Sequence, residues 1–586
     1  MLSGRKGKAR SIILLVFCLV LLQTSTAAAI SRGEVVYEIM SALELPLVQG
    51  DSGFVDVSKL TLHGESIQAA KALGILPPFE HFHPTLEAAN AEAVMFAVRA
   101  LGLFNEAEIL SSICEFEGDK SGVPLHLMPY MAIASEMTPK APDEFLSNPR
   151  DNVTRSGLNS LVAWLKNCKN GLIFEKTLRD DIVTVTMHRE GIGRPPKLWL
   201  VLVDEIPLDA EAKARDLSGY LKNLGLPAFV VRQEWAFQVT IGPFANYIKA
   251  YEVLTSLPKH LTASIVPYGA AEESPALFWV ALAFDAARVT PKIALSSTEY
   301  GTSNPLSEMA REKNARAAVN GGYFSGVKPI GLVMMDGKVV YTPYSGRTAI
   351  GWDDSGKIFI GQVRAKVKVK VGTSAEFHVE GVNVAPTYHG ITIYTPEFGP
   401  EARGLQSDAL EVMVRGGKIT WKQGAGTAAH HYIPRDGFLL VARGNSRQFF
   451  ANVVLGTDVE VISTLEPQEF NHAKWAFQAG PLLLTNGMDV NVSEGFKPSF
   501  TDKRHPRTLW GSDGSKVYWV VVDGRDPWHS RGVTLHELRS VAKRLGIKDA
   551  VNLDGGGSSA LWWKGVLINH SPGGRERPLP YIIYLD

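Results

Sequence analysis

The stretch from Lys516 to Asn569 limits the possible folds most tightly. Val517–Val522 is an unbroken run of β-branched and aromatic residues, which predicts a strand buried on both faces. It ends at Asp523-Gly524-Arg525. Thr534 then predicts a helix N-cap, Glu537 completes a capping box, and Gly546 stops the helix after Leu545. Ala550–Leu553 reads as a second strand, running into Asp554-Gly555-Gly556-Gly557-Ser558-Ser559. A strand–helix–strand unit makes its strands parallel, so both C-terminal ends emerge at one edge. Asp523 and Asp554 should therefore stand together there, beside Arg525 and the glycine loop. For neighbouring strands about 4.8 Å apart, the carboxylates would lie roughly 5–10 Å apart. That range covers both geometries of carboxylate-assisted glycosyl transfer and leaves retention and inversion open. Ala560–Ile568 reads as a hairpin, so the glycines open no helix and form neither a P-loop nor a dinucleotide fingerprint. They could present backbone amides to an anion, or serve a turn that needs positive φ.

The 586 residues suffice for three or four domains at roughly 100–200 residues each. Equal numbers of basic and acidic residues, 60 of each, offer no bulk charge for nucleic acid. Hydrophobic residues at 45% exclude a largely disordered chain. Cys18, Cys114 and Cys168 fit no zinc or redox spacing; Cys114 and Cys168 either pair in an oxidising compartment or stand as separate buried thiols. No metal or other cofactor is expected, and His81, His83 and the pair His430-His431 lack ligand partners at useful spacing.

Residues 1–29 read as a signal peptide: Arg5, Lys6, Lys8 and Arg10, an apolar run from Ser11 to Leu22, then Ala27-Ala28-Ala29. The run is short of the roughly 20 residues a membrane span needs, so export is expected and no span after cleavage. An uncleaved anchor is the alternative reading. Ser31-Arg32-Gly33-Glu34, Ala89-Asn90-Ala91-Glu92 and Thr154-Arg155-Ser156-Gly157 each open an amphipathic helical run, about sixty residues apart. This repeat, over 30–170, resembles the S-layer homology module, which implies attachment to an anionic secondary cell-wall polymer. The second copy lacks the Thr-Arg pair and the third lacks the Glu. Arg194-Pro195-Pro196 reads as a linker. Beyond it, 196–270 predicts a βαββαβ order, and Val239-Thr240-Ile241-Gly242-Pro243-Phe244 resembles the centre of a SPOR domain, implying peptidoglycan binding.

From 276 to 586 short strands and glycines dominate, with several dense motifs. Arg504-His505-Pro506-Arg507-Thr508 and Arg347-Thr348 supply guanidinium groups whose planar fork suits phosphate oxygens. Asn320-Gly321-Gly322-Tyr323-Phe324 places an amide and an aromatic ring at a strand end. With Gly331-Leu332-Val333, Tyr394-Thr395-Pro396, Gly480-Pro481-Leu482-Leu483 and the Asp523 and Asp554 motifs, this region resembles the phosphodiester glycosidase family, of the N-acetylglucosamine-1-phosphodiester alpha-N-acetylglucosaminidase type. The fold expected is thus multi-domain: α-helical repeats, a small βαββαβ domain, and a C-terminal α+β domain containing a βαβ unit.

The resemblance implies hydrolysis of a sugar 1-phosphodiester at the anomeric bond, in wall polymers or phosphorylated glycans. Asp554 is expected as nucleophile or water-activating base, with Asp523 as its partner or as a structural anchor, and His505 as a general acid or phosphate donor. Arg347, Arg507 and Arg525 are expected to clamp the phosphate, while Asn320, Gly555, Gly556, Gly557 and Ser558 hold sugar or phosphate oxygens. Trp510 stands where the family tends to have a small residue, which would reshape the sugar subsite. Two other classes are open: a wall-binding protein without catalysis, and a hydrolase of ordinary glycosidic bonds. Arg364, Lys366, Lys368 and Lys370 alternate with apolar residues and read as a solvated edge strand.

Overall fold

The computed structural model describes residues 30–586 apart from 48–52, 78, 117–122, 209, 234–235, 259–260, 262, 269–273, 297–301, 374, 386, 403–408, 424–430 and 492–493. The leader and His430 lie outside the described residues. Contacts divide the chain into two compact units, Met1–Phe174 with Phe244–Glu252, and Glu175–Pro243 with Val253–Asp586.

In the first unit the three repeat starts open the helices Arg32–Ala42, Asn90–Ala100 and Arg155–Asn170. Ser31 and Thr154 accept from the N–H groups of Glu34 and Gly157, satisfying orphan donors of the first turn. Ala89 has no such oxygen; there Glu92 reaches back to the Ala89 N–H at 3.2 Å. The first helix packs against both others through buried residues such as Val36, Ile39 and Leu161. Short bridges, Ser31 to Glu87 and Ala89 to Asn152, tie each start to the segment ahead of the next. Cys114 and Cys168 are not joined by a disulfide.

The βαββαβ order is observed, from the strand Leu198–Pro207 to the strand Ser264–Tyr268. Its strands lie in the spatial order second, third, first, fourth.

An eight-stranded sheet frames the C-terminal part of the second unit. Its strands Lys516–Val522 and Asp549–Asn552 are each antiparallel to Arg507–Ser512, hence parallel to one another, as the crossover requires. They are not neighbours, however. Arg507–Ser512 lies between them, because Leu509 and Trp510 are fully buried strand residues that fill the gap. The separation is therefore two strand spacings, about 10 Å. Trp510 belongs to this sheet core and shapes no sugar subsite. The sheet also begins earlier than 276, with the hairpin Ile173–Arg179 and Val183–Glu190, so the βαββαβ segment is an insertion between its strands.

The crossover helix Leu535–Arg544 carries the predicted capping box: Glu537 N–H donates to the Thr534 hydroxyl at 3.1 Å, and Thr534 N–H to the Glu537 carboxylate at 2.9 Å. Leu535, Leu538 and Val541 pack on Leu509, Val520 and Val522. Burial of each such side chain contributes about 1.5–3 kcal/mol, so this face fixes where the two strand ends emerge. The cationic strand Arg364–Val371 is not an edge: it is the middle of three strands, and Lys368 meets Glu376 at 3.2 Å across the pair. Among the described residues no helix is long and apolar enough to cross a membrane.

Candidate functional site

Asp554 emerges just beyond the strand Asp549–Asn552, and its backbone is fixed from across the sequence. The Asn320 amide donates to the Asp554 carbonyl at 2.8 Å and to the Gly321 carbonyl at 3.2 Å. The Asn320 oxygen accepts from the Thr508 hydroxyl at 2.8 Å and from Ala560 N–H at 3.2 Å. With both ends engaged and no exposure, Asn320 is a positioning clamp and not the ligand to sugar or phosphate that its motif suggested. Gly555 N–H donates to the Asp554 carboxylate at 2.9 Å. Burial pushes the Asp554 pKa above its ordinary value, opposed by the Arg577 charge, the Ser558 hydroxyl, the Gly555 N–H and Arg525.

The glycine loop serves close approach more than anion capture. Two of its amides are already committed, Gly555 to Asp554 and Gly556 to the Pro506 carbonyl at 2.8 Å. Gly556 has φ +62°, and a Cβ there would sit 2.9 Å from the Arg525 guanidinium. Arg525 itself adopts φ 65°, unusual for a side chain of its size, and its pKa falls to about 10 through burial, with Glu205 acting the other way. Gly557 leaves room for Arg577, whose Cδ would lie 3.5 Å from an added Cβ. Gly557, Arg575, Arg577, Asn569 and His570 line a cavity of about 770 Å³.

The three predicted phosphate arginines do not form one clamp. Arg507 is buried and donates to the carbonyls of Val533 at 3.2 Å, Phe500 at 2.5 Å and Lys503 at 3.0 Å, so it ties loops together while its charge still reaches Asp554. Arg347 lies 3.7 Å over the Phe496 ring and lines a second cavity of about 380 Å³ with Tyr323, Tyr344 and Phe500. The Tyr323 hydroxyl donates to the Gly480 carbonyl at 2.7 Å and accepts from Asn552 at 2.9 Å. Arg525 faces the glycine loop at Gly556 and the Arg507 stem faces it at Gly555, with Arg577 joining them at Gly557.

Two further expectations change. His505 is pushed down to about 3 by burial and by the charges of Arg525, Arg507 and Lys503, so it is neutral at ordinary pH and has no imidazolium proton to give. Asp523 is buried and spends both oxygens inside the protein: it accepts from the Asn569 amide at 2.9 Å and from His570 N–H at 2.7 Å, and meets His529 Nε2 at 2.9 Å. Of its two predicted roles, the geometry fits the anchor. Arg577 and Glu205 were missed by sequence reasoning. Arg577 lies in a polar tail with no motif, and Glu205 ends a strand of the inserted segment, accepting from Gln238 at 2.7 Å.

Residues 408–585 match the phosphodiester glycosidase family model. The match lies in the C-terminal region and extends neither to the helical repeats nor to the βαββαβ segment. Among curated proteins none matches the chain. A hypothetical protein from Synechocystis is 21% identical, with 71% of this chain and 77% of that one covered, at TM-score 0.48. A protein of Burkholderia pseudomallei described as exported is 18% identical, covering 71% and 96%, at TM-score 0.49. The catalytic domain of zebrafish N-acetylglucosamine-1-phosphodiester alpha-N-acetylglucosaminidase, auto-inhibited by its pro-peptide, is 15% identical, covering 53% and 77%, at TM-score 0.28.

Proposed function

We propose that the C-terminal part of this chain hydrolyses a glycosyl 1-phosphodiester of the cell envelope, releasing a free sugar and a phosphomonoester. The observation that carries this reading is one partly buried carboxylate, Asp554, at a glycine loop that two guanidinium groups, Arg525 and Arg577, approach. Asp554 either takes the proton of a water that attacks the anomeric carbon, or attacks it and forms a glycosyl ester that water then hydrolyses. The C1–O bond breaks and its electron pair leaves with the phosphate, whose negative charge Arg525 and Arg577 stabilise. The Tyr323–Arg347 cavity offers aromatic faces for the sugar ring. The leader-like residues 1–29 and the repeat of the first unit support an exported, envelope-associated enzyme, held near its substrate by contacts with peptidoglycan or an anionic wall polymer.

The test is release of reducing sugar from a panel of sugar 1-phosphodiesters by the purified chain and by Asp554→Asn. Activity in the parent and a loss of about 10³-fold or more in a folded variant is expected. Equal release by both proteins removes Asp554 from the reaction, and no release from any substrate removes the hydrolytic reading.

A further inference from the structure

The inserted βαββαβ segment shares a cleft of about 740 Å³ with the C-terminal loops, both within the second unit. From the insertion come Leu200, Leu202, Val231 and Val266, an aliphatic lining on a four-stranded sheet. From the loops come Lys503, Arg504, Arg525 and Arg531. The acidic groups facing the cleft are Glu205 and Asp526, and Glu537 pairs with Arg504 at 2.7 Å, which leaves a surplus of one positive charge. The volume falls within the roughly 300–1,000 Å³ typical of small-molecule sites. The insertion is seated there by specific contacts. Gly573 faces Leu202 and Val266, where an added Cβ would lie 3.1 Å from each, and Arg575 donates to the Val203 carbonyl at 2.6 Å. Glu205 and His570 line both this cleft and the cavity beside Gly557, so the two adjoin at the candidate site.

We propose that this cleft receives the leaving group of the substrate, and that the leaving group is a phosphate esterified to an aliphatic chain. The proposal rests on the hydrolytic reading above and narrows its substrate to a sugar joined through phosphate to a lipid alcohol. Cations recognise the phosphate, and aliphatic side chains gain from covering a hydrocarbon. A polysaccharide leaving group would call for flat aromatic faces, and Tyr268 is the only Phe, Tyr or Trp ring in the lining. The reaction balances without a further reagent: water adds its hydroxyl to the anomeric carbon, and the lipid phosphomonoester departs with the bond's electron pair and the remaining proton.

The experiment titrates the full chain calorimetrically with inorganic phosphate, ethyl phosphate, decyl phosphate below its micelle concentration, and decanol. Each buried methylene should tighten binding about three- to fourfold, so decyl phosphate should exceed ethyl phosphate by about 100-fold or more. Val231→Asn and Ile265→Gln, on the two edge strands of the insertion, should abolish that gain while ethyl phosphate binds as before; retained ethyl phosphate binding shows that the cationic side is still formed. Equal affinity for the two esters, a chain-length gain that survives both substitutions, or decanol binding as tightly as decyl phosphate overturns the proposal. A chain that binds decyl phosphate as expected but releases sugar from no phosphodiester loses the hydrolytic reading and keeps the ligand class.

Discussion

Asp523→Asn separates the two roles that a carboxylate at this sheet edge can have. Asp523 takes the Asn569 amide on one oxygen, and His529 Nε2 and His570 N–H on the other. An asparagine has one acceptor oxygen. If it keeps the His529 and His570 contacts, its own NH₂ faces the NH₂ of Asn569, and two buried donors lose their acceptor. Each stranded donor costs about 1–3 kcal/mol, so the variant should be destabilised by about 2–6 kcal/mol. At roughly 2–4 °C per kcal/mol, the melting midpoint should fall by about 4–24 °C. Turnover per folded molecule, measured well below that midpoint, should stay within about tenfold of the parent, because Asp523 faces His529 and Asn569 and not the cavity. Differential scanning calorimetry and the reducing-sugar assay together check this. A loss of about 10³-fold with an unchanged midpoint would refute the anchor and restore Asp523 to the chemistry.

Four other outcomes follow from the structure. The folded pKa of Asp554 is raised by burial, so the folded chain holds that proton at pH values where the unfolded chain has released it. Stability from this group is therefore present below the ordinary carboxylate pKa and is lost as pH rises through the raised value; Asp554→Asn should melt higher than the parent at neutral pH, with the advantage gone in acid, as a pH series of melts would read. Arg577→Met removes the largest opposing charge, so the acid limb of the pH–rate profile should move further up. His505→Gln should keep activity within about tenfold and leave the neutral region of that profile unchanged, since the ring is already uncharged there. The Cys168 thiol, buried and pushed up to about 12, should resist a maleimide at neutral pH until the chain is unfolded, which mass spectrometry of the labelled protein would show.

Local signals in the sequence were legible because their physics is local. The Thr534–Glu537 box, the Gly546 stop, the βαββαβ order and the three repeat starts all rest on residues within a few positions of one another. What escaped depends on partners far apart in the chain. Asn320 has the look of a ligand until Thr508, Asp554 and Ala560 claim its amide from some 190 to 240 positions away. The parallel relation of the strands before Asp523 and Asp554 follows from their crossover, but nothing in that crossover predicts Arg507–Ser512 inserting between them. The hairpin at 173–190 joins the main sheet by pairing with Leu277–Asp285 across the whole insertion, so no window of sequence places it there. Arg577 and Glu205 carry no motif at all, and only the fold brings them to the glycine loop.

The loss of Asp523 as a chemical partner bears on which bond the site is suited to break. A glycosidic bond to a neutral alcohol needs a proton delivered to the departing oxygen, and most glycosidases hold a second carboxylic acid for it. Here Asp523 is locked to His529 and Asn569, and His505 is uncharged at ordinary pH, so neither is placed to donate. A phosphate leaving group removes the need, because it departs as a stable anion and its transition state calls for positive charge instead. Arg525 and Arg577 supply that charge beside Asp554, both acting on the same carboxylate in a partly buried setting where such interactions are stronger than in water. The same cations would hinder protonation of an alcohol leaving group. On this argument Asp554 beside two guanidiniums, with Glu205 already taking the Gln238 amide and facing Arg525, suits a phosphodiester and not an ordinary glycoside. An aryl or alkyl glycoside of the same sugar should then be turned over at least about 10³-fold more slowly than its phosphodiester, and comparable rates on the two would remove the reason for placing the leaving group against the arginines.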